Sequence, residues 1–369
     1  MNKRARTIAA LAAIFALSAA PAIADNPQPR KIYSGWIPYY SMKTSLPAAL
    51  NNLDLMREVM PFWYTMKYNA GKVSITDLYT PANPSVPITT PLATIRSAGL
   101  TVIPTITDGT EKLVLSNLLS TENGRADAVK AITDLVSSNN FDGIDLDFEN
   151  FAFVDGNTSW DKTKPYWVAF VKALSTALHA NGKLLSITSP YLLDPTTGKK
   201  GYYVYAWAEI ATVIDRLRIM TYDYSVANPG PIGPLSWTEN TLKYAVSIMP
   251  ASKVFVGLAG YGRDWVTSVN GVCPTTPINY TSSIKVGASA STFVMRDATA
   301  LASANGATPT YQAKYGESTF SYQKTYTGNT AAGVATQCTA ARTAWYQDAQ
   351  GFGLRANLVA KYRLGGLTQ

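Results

Sequence analysis

Histidine and cysteine are nearly absent from the 369 residues: there is one of the first, His179, and two of the second, Cys273 and Cys338. A Ser-His-Asp or Cys-His hydrolase needs an imidazole beside its nucleophile. The single imidazole falls instead in "YWVAFVKALSTALHANGK", an amphipathic helical pattern closing on Asn181-Gly182, so His179 reads as a helix-end residue. Two isolated cysteines and one histidine do not make a zinc site, and neither metal nor cofactor is expected. Charge is also scarce, at 15% of residues, and the basic side chains are scattered without a dense run, which gives nucleic acid no support as a partner. No segment after the first 24 residues approaches the roughly 20 apolar residues of a spanning helix.

What is present begins at the N-terminus. "MNKRARTIAALAAIFALSAAPAIADNPQ" has a basic head (Lys3, Arg4, Arg6), a short apolar run from Ile8 to Leu17 and the small-x-small sequence Ala22-Ile23-Ala24. This is the pattern of a secretory signal peptide, residues 1–24, cut before Asp25, and it predicts a secreted protein with no membrane insertion after cleavage. Cleavage lowers the formal charge from +8 to +5, a mildly basic surface suited to an anionic polymer such as a cell wall. In an exported chain the even pair Cys273 and Cys338 predicts a disulfide.

The scarce charge is concentrated in one place. "FDGIDLDFEN", residues 141–150, holds Asp142, Asp145, Asp147 and Glu149. On a strand, Asp145, Asp147 and Glu149 share one face while Ile144, Leu146 and Phe148 share the other. Neighbours on that face stand about 6.6 Å apart at the backbone, near enough for mutual repulsion to keep a proton on at neutral pH. A solvated edge strand carries charges as well, but Gly143 and the apolar partners point to a buried strand built for acid chemistry.

Short apolar runs alternate with helical patterns along the chain, the rhythm of a parallel α/β fold. Eight strands are predicted, at 31–40, 58–68, 100–107, 141–149, 183–192, 216–225, 253–262 and in the final "GGLTQ", with helices such as 125–139 and 350–365 between them. Eight such units predict a (β/α)8 TIM barrel over 25–369, with active residues at the carboxyl ends of strands, where Glu149 falls. The Ser-, Thr-, Gly- and Tyr-rich interval 265–340, with strand-like "STFVMR" and "STFSYQKTY", predicts a small α+β insertion after strand seven, its base closed by the cysteine bridge. Trp36, Phe62 and Trp63 read as core.

Asp142-Gly143-Ile144-Asp145-Leu146-Asp147-Phe148-Glu149 resembles the DGxDxDxE signature of glycoside hydrolase family 18, and Met220-Thr221-Tyr222-Asp223 resembles its MxYD motif on the sixth strand. "GLAGYGRDW" at 257–265 is similar to the family's GxPxYGR segment, with Ala259 in place of proline. "GPIGPLSW" at 230–237 and "RTAWYQDAQ" at 342–350 resemble the bacterial spore-cortex and cell-wall N-acetylglucosaminidase branch. The resemblance implies a retaining hydrolase of β-linked N-acetylglucosamine-containing polysaccharide, working as a monomer without a cofactor. It implies that Glu149 is the general acid and then the base, while the 2-acetamido oxygen of the sugar is the nucleophile. Asp147 would orient that group, Asp145 would couple to Asp147, and Tyr222 would hydrogen-bond the acetamido carbonyl. Asp223 and Met220 would line the same subsite, with Tyr261, Arg263 and Trp237 as further sugar contacts.

Two departures shape the expected substrate. "VIPTITDG" lacks the SxGG sequence of many chitinases, which favours peptidoglycan or a related wall polymer over chitin. The sequence stops at Gln369, inside the last strand, where family members continue to a tryptophan and a closing helix; either this is a piece of a longer protein, the preferred reading, or the barrel is incomplete with an open edge. Three functions stay open: a wall-glycan hydrolase, a chitinase, and a catalytically silent sugar-binding protein on the same fold. The intact acid Glu149 argues against the last.

Overall fold

The computed structural model describes residues 31–193, 201–275, 284 and 291–369. The expected signal peptide lies outside the described residues. Among the described residues no helix is long and apolar enough to cross a membrane.

Among the described residues fifteen strands form two sheets. The first holds β1 (Ile32–Pro38), β2 (Met56–Asn69), β3 (Lys72–Asp77), β4 (Thr101–Val102), β5 (Thr105–Asp108), β6 (Gly143–Asp147), β7 (Leu184–Pro190), β8 (Arg216–Met220), β9 (Val254–Gly257) and β15 (Gly366–Thr368). The second holds β10 (Tyr261–Gly271), β11 (Ser291–Val294), β12 (Thr310–Gln312), β13 (Glu317–Asn329) and β14 (Ala335–Tyr346).

Parallel pairing runs β1-β2-β5-β6-β7-β8-β9-β15 and returns from β15 to β1, so eight positions close into a (β/α)8 barrel. The third position is split: Pro104 offers no N–H, and β4 and β5 pair with β2 on either side of it. The ring expected from eight strands is closed, and the alternative of an incomplete barrel with an open edge is set aside. Three residues suffice to close the ring, because Gly366, Leu367 and Thr368 pair with β1 on one side and β9 on the other. Gln369 continues the seam, its N–H bonding Ser34 O and its carbonyl accepting from Trp36 N.

The outward faces of the strands pack on amphipathic helices. In the helix Trp160–His179, Trp167, Phe170, Val171, Leu174 and Leu178 recur at helical spacing and are buried. Phe148 packs between Trp167 (6.1 Å between ring centroids) and Phe170 (6.3 Å). Each such side chain contributes about 1.5–3 kcal/mol by leaving water. His179 ends the helix and meets Asp215 at 2.8 Å on the outside of the barrel, remote from the acidic strand's inner face.

β2 runs past the barrel and folds back as β3 through Ala70 and Gly71, both at positive φ, a tight hairpin that the sequence reading missed. The second sheet is antiparallel, ordered β11-β10-β14-β13-β12, and with the helix Ala298–Ala304 it forms the insertion. It leaves the barrel at Tyr261 and returns at Tyr346, wider than 265–340 at both ends. What reads as one strand at 253–262 is two: β9 stops at Gly257 in the barrel, and β10 starts at Tyr261 in the other sheet. Cys273 and Cys338 are bonded, with Cα atoms 4.7 Å apart. Their place differs from expectation. Gly262 pairs with Tyr346 at the barrel end of the β10–β14 ladder and Gly271 pairs with Cys338 at the other, so the bridge clips the outer end and not the base.

Candidate active site

β6 carries the acidic series inward. Asp145 is fully buried and gripped by its neighbours on β5 and β7: it accepts from Thr105 Oγ1 at 2.9 Å, Ser186 Oγ at 2.5 Å and Thr188 Oγ1 at 3.0 Å. From β8, Arg218 brings its Nε to 3.8 Å from Asp145 Oδ1. Asp142 belongs elsewhere. It precedes β6 and accepts from the N–H of Val102 at 2.8 Å, which fixes the register of β4.

Asp147 is the next residue on that face. Burial first, then the charges of Glu149 and Asp145, push its carboxyl well above the usual carboxylate range, and its Oδ1 has no hydrogen-bond partner among the described residues. Glu149 ends the series two residues past β6, at the carboxyl mouth of the barrel. Burial and then the Asp223 charge raise it as well. Glu149 opens into a cavity of about 250 Å³ shared with Tyr191, Tyr202, Met220, Tyr222 and Asp223.

β8 supplies the opposite wall. Met220 ends the strand, and Tyr222 packs edge-to-face on Tyr261 with centroids 6.0 Å apart. Burial, then the Asp147 charge, drives the Tyr222 hydroxyl up, so it is a donor at every working pH. Room for that ring depends on Gly257, where an added Cβ would lie 3.2 Å from Tyr222 Cε1 and 2.3 Å from Ile219 O. Asp223 sits in the left-handed region at φ 58°, an uncommon state for a non-glycine residue, and is held there from the insertion by Tyr261 and Arg263.

The structure thus brings Glu149, Met220, Tyr222 and Asp223 to one cavity, with Asp147 and Asp145 behind it along the barrel. Tyr261 and Arg263 reach it through Asp223. Trp237 stands one ring back, against Tyr191 (4.9 Å) and Tyr224 (5.3 Å). Sequence reasoning missed Tyr191 and Tyr202, whose rings meet at 5.5 Å and face Glu149. It also missed Tyr205, whose hydroxyl bonds Phe148 O at 2.5 Å. Tyr191 directly follows β7, and the rule that barrel sites gather at strand ends was enough to find it. Among the described residues no group of three or more His, Cys, Asp or Glu is arranged to hold a metal.

A closed parallel barrel with a carboxylate series rising to its mouth is the arrangement of a (β/α)8 enzyme, with its site at the carboxyl ends of the strands. Residues 33–368 match the family described as Glycosyl hydrolases family 18, and the chain belongs to it. Among curated relatives it is 28% identical over 180 residues to YdhD of Bacillus subtilis (strain 168), by name a sporulation-specific glycosylase; the match covers 48% of this chain and 39% of that protein. Two solved structures share the fold. A chitinase from Chromobacterium violaceum ATCC 12472 superposes with a TM-score of 0.69 at 22% identity, covering 92% of this chain and 93% of the other. The spore cortex-lytic enzyme SleL of Bacillus megaterium QM B1551 gives 0.68 at 18% identity, covering 93% and 71%.

Proposed function

We propose that the chain is a secreted, retaining hydrolase of β-linked N-acetylglucosamine-containing glycans, acting on peptidoglycan or a related wall polymer by substrate assistance. The observation that carries this reading is the single-face series Asp145, Asp147, Glu149, ending in a cavity opposite Tyr222. Glu149 protonates the glycosidic oxygen as the 2-acetamido oxygen attacks the anomeric carbon, and the bond to the leaving sugar breaks. The same carboxylate then takes a proton from the water that opens the cyclic intermediate, returning the original anomer. Asp147, with an oxygen free to receive the acetamido N–H, and Tyr222, as donor to its carbonyl, hold that group in line.

The wall-polymer assignment is supported by the names of YdhD and SleL and by the absence of SxGG at the third strand. Export is supported by the N-terminal pattern and accords with the disulfide. A chitin substrate is the second reading, favoured by the likeness to the Chromobacterium chitinase. The two are separated by incubating the protein with purified peptidoglycan and with chitin oligomers and identifying the products by mass and anomeric NMR. Muropeptides with a new β reducing end support the wall reading, and turnover of chitin alone replaces it. Inverted product, or efficient cleavage of a 2-hydroxy analogue, overturns substrate assistance.

A further inference from the structure

Arg218 is wholly buried in the middle of β8, inside a barrel whose mouth carries carboxylates. A charge at that depth persists only where it is paired. Part of the guanidinium is accounted for: Nη2 donates to Glu58 Oε2 at 2.8 Å, Nη1 lies 3.4 Å from Ser34 Oγ, and the group packs over Phe255, 4.9 Å from the ring centroid. Glu58 is doubly served, because Arg216 reaches its other oxygen with Nη2 at 2.9 Å and Nε at 3.2 Å. Burial pushes the Glu58 carboxyl up, and the two guanidinium groups outweigh it and hold Glu58 below its usual range. The Nε of Arg218 remains without a hydrogen-bond partner among the described residues, and it lies 3.8 Å from Asp145 Oδ1.

We propose that Arg218 is a positioning residue for the acidic series: its guanidinium draws the negative charge of the series to the buried end at Asp145 and so leaves the proton at Asp147, beside the cavity. This rests on the glycosidase reading above. The groups that face the series are Thr105 from β5, Ser186 and Thr188 from β7, Arg218 with Glu58 behind it, and, toward the mouth, Tyr191, Tyr202, Tyr205, Tyr222 and Asp223. Of these only Arg218 is cationic, and Arg216 bonds Glu58 and the Asp215 carbonyl instead. The three hydroxyls hold Asp145 in place, whereas Arg218 supplies the charge asymmetry between the two ends of the series. A proton kept at Asp147 suits an acetamido group that must be polarised during attack and released after it.

The direction of the effect follows from charge. Removing a cation from within about 4–6 Å of a carboxyl group lets it keep its proton to higher pH, by about 1–3 units. The test is a carboxyl-carbon NMR titration of the Glu149→Gln protein with and without Arg218→Met, the signals assigned through Asp145→Asn and Asp147→Asn. The titration of the series is expected to move up by about one pH unit or more with Met, and to stay near the parent with Arg218→Lys. No substrate enters that measurement, so it is decided independently of whether the chain cleaves a glycan. With turnover, Arg218→Met moves the acid limb of the kcat/KM profile up by about one unit with little change in KM, and Lys restores it. Should Arg218→Met not fold, Glu58→Gln/Arg218→Met removes both buried charges together and is titrated in its place, with a smaller upward shift expected. An unmoved titration or acid limb in a folded variant, or a Lys variant that shifts as far as Met, overturns the proposal.

Discussion

Arg263 donates twice to one oxygen of Asp223, from Nε at 3.0 Å and from Nη2 at 2.5 Å, and the Tyr261 hydroxyl donates to the same atom. Asp223 belongs to the loop after β8 and the other two to the inserted sheet, so the two sheets meet on one carboxylate at the edge of the cavity.

Arg263→Met is therefore expected to release Asp223 from its left-handed conformation, which costs about 1–3 kcal/mol and lasts only while held. A displacement of that kind beside the acid lowers kcat/KM by about 10- to 100-fold. Arg263→Lys, which has no planar fork, recovers part of it. Steady-state kinetics on the glycan identified as substrate checks this, and a loss below twofold would show that the loop holds itself.

On the proposed mechanism Glu149→Gln keeps the shape and removes the acid, so turnover is expected to fall by about 10²- to 10⁴-fold or more while sugar binding survives. The pH profile adds a signed test. Burial and Asp223 both raise Glu149, so the basic limb of activity lies above the ordinary carboxylate range. Asp223→Asn removes one of these causes and moves that limb to lower pH. A basic limb unaffected by Asp223→Asn would detach it from Glu149.

Asp147 makes a prediction about stability. Its folded pKa lies above the unfolded value, so its contribution is fully present at low pH and is lost as pH rises through the folded pKa. Asp147→Asn stays neutral throughout. Its melting temperature relative to the wild type is expected to be level near pH 4 and to rise by about 2 °C or more toward pH 8. A difference that does not change with pH would contradict the burial of charge at this position.

Cys273→Ser/Cys338→Ser opens a bridge that spans 65 residues of sequence. The loss expected for such a loop is about 2–4 kcal/mol. Because the bridge clips the outer end of the β10–β14 ladder, hydrogen exchange should quicken first near Gly271 and Cys338 and leave β6 and β8 protected. Uniform loosening of the barrel would show that the insertion is not a separately opening unit.

The barrel was legible because its signal is local. Alternation at 141–149 placed three carboxylates on one face, and that face is the one turned inward. Less was legible where one residue's role depends on a distant partner. Arg216 and Arg218 alternate along β8 with Met220 and look like surface charges until Glu58, 158 and 160 positions away, is found opposite them. Tyr202 carries no motif, and its place beside Tyr191, whose carbonyl accepts from the Tyr202 N–H, is a contact the local pattern does not announce. The hairpin through Ala70 and Gly71 lacked the usual Asn-Gly pair, whereas the final "GGLTQ" was read as the eighth strand and closes the ring as β15.

The hold on Asp223 is one of three. Trp265 Nε1 donates to Val226 O at 2.8 Å, and buried Glu317 accepts from Ile232 N at 2.6 Å and Gly233 N at 2.8 Å while paired with Arg355. Gly233 in turn lies so close to Thr221 that an added Cβ would stand 2.2 Å from its carbonyl oxygen. The stretch 221–234 is therefore stitched to the inserted sheet at its start, middle and end. Residues of the cleft wall and residues of the insertion form a single transplantable cassette: exchanging the insertion with that of a relative, without also moving 221–234, puts all three stitches and the Tyr261 ring that Tyr222 packs on at risk together.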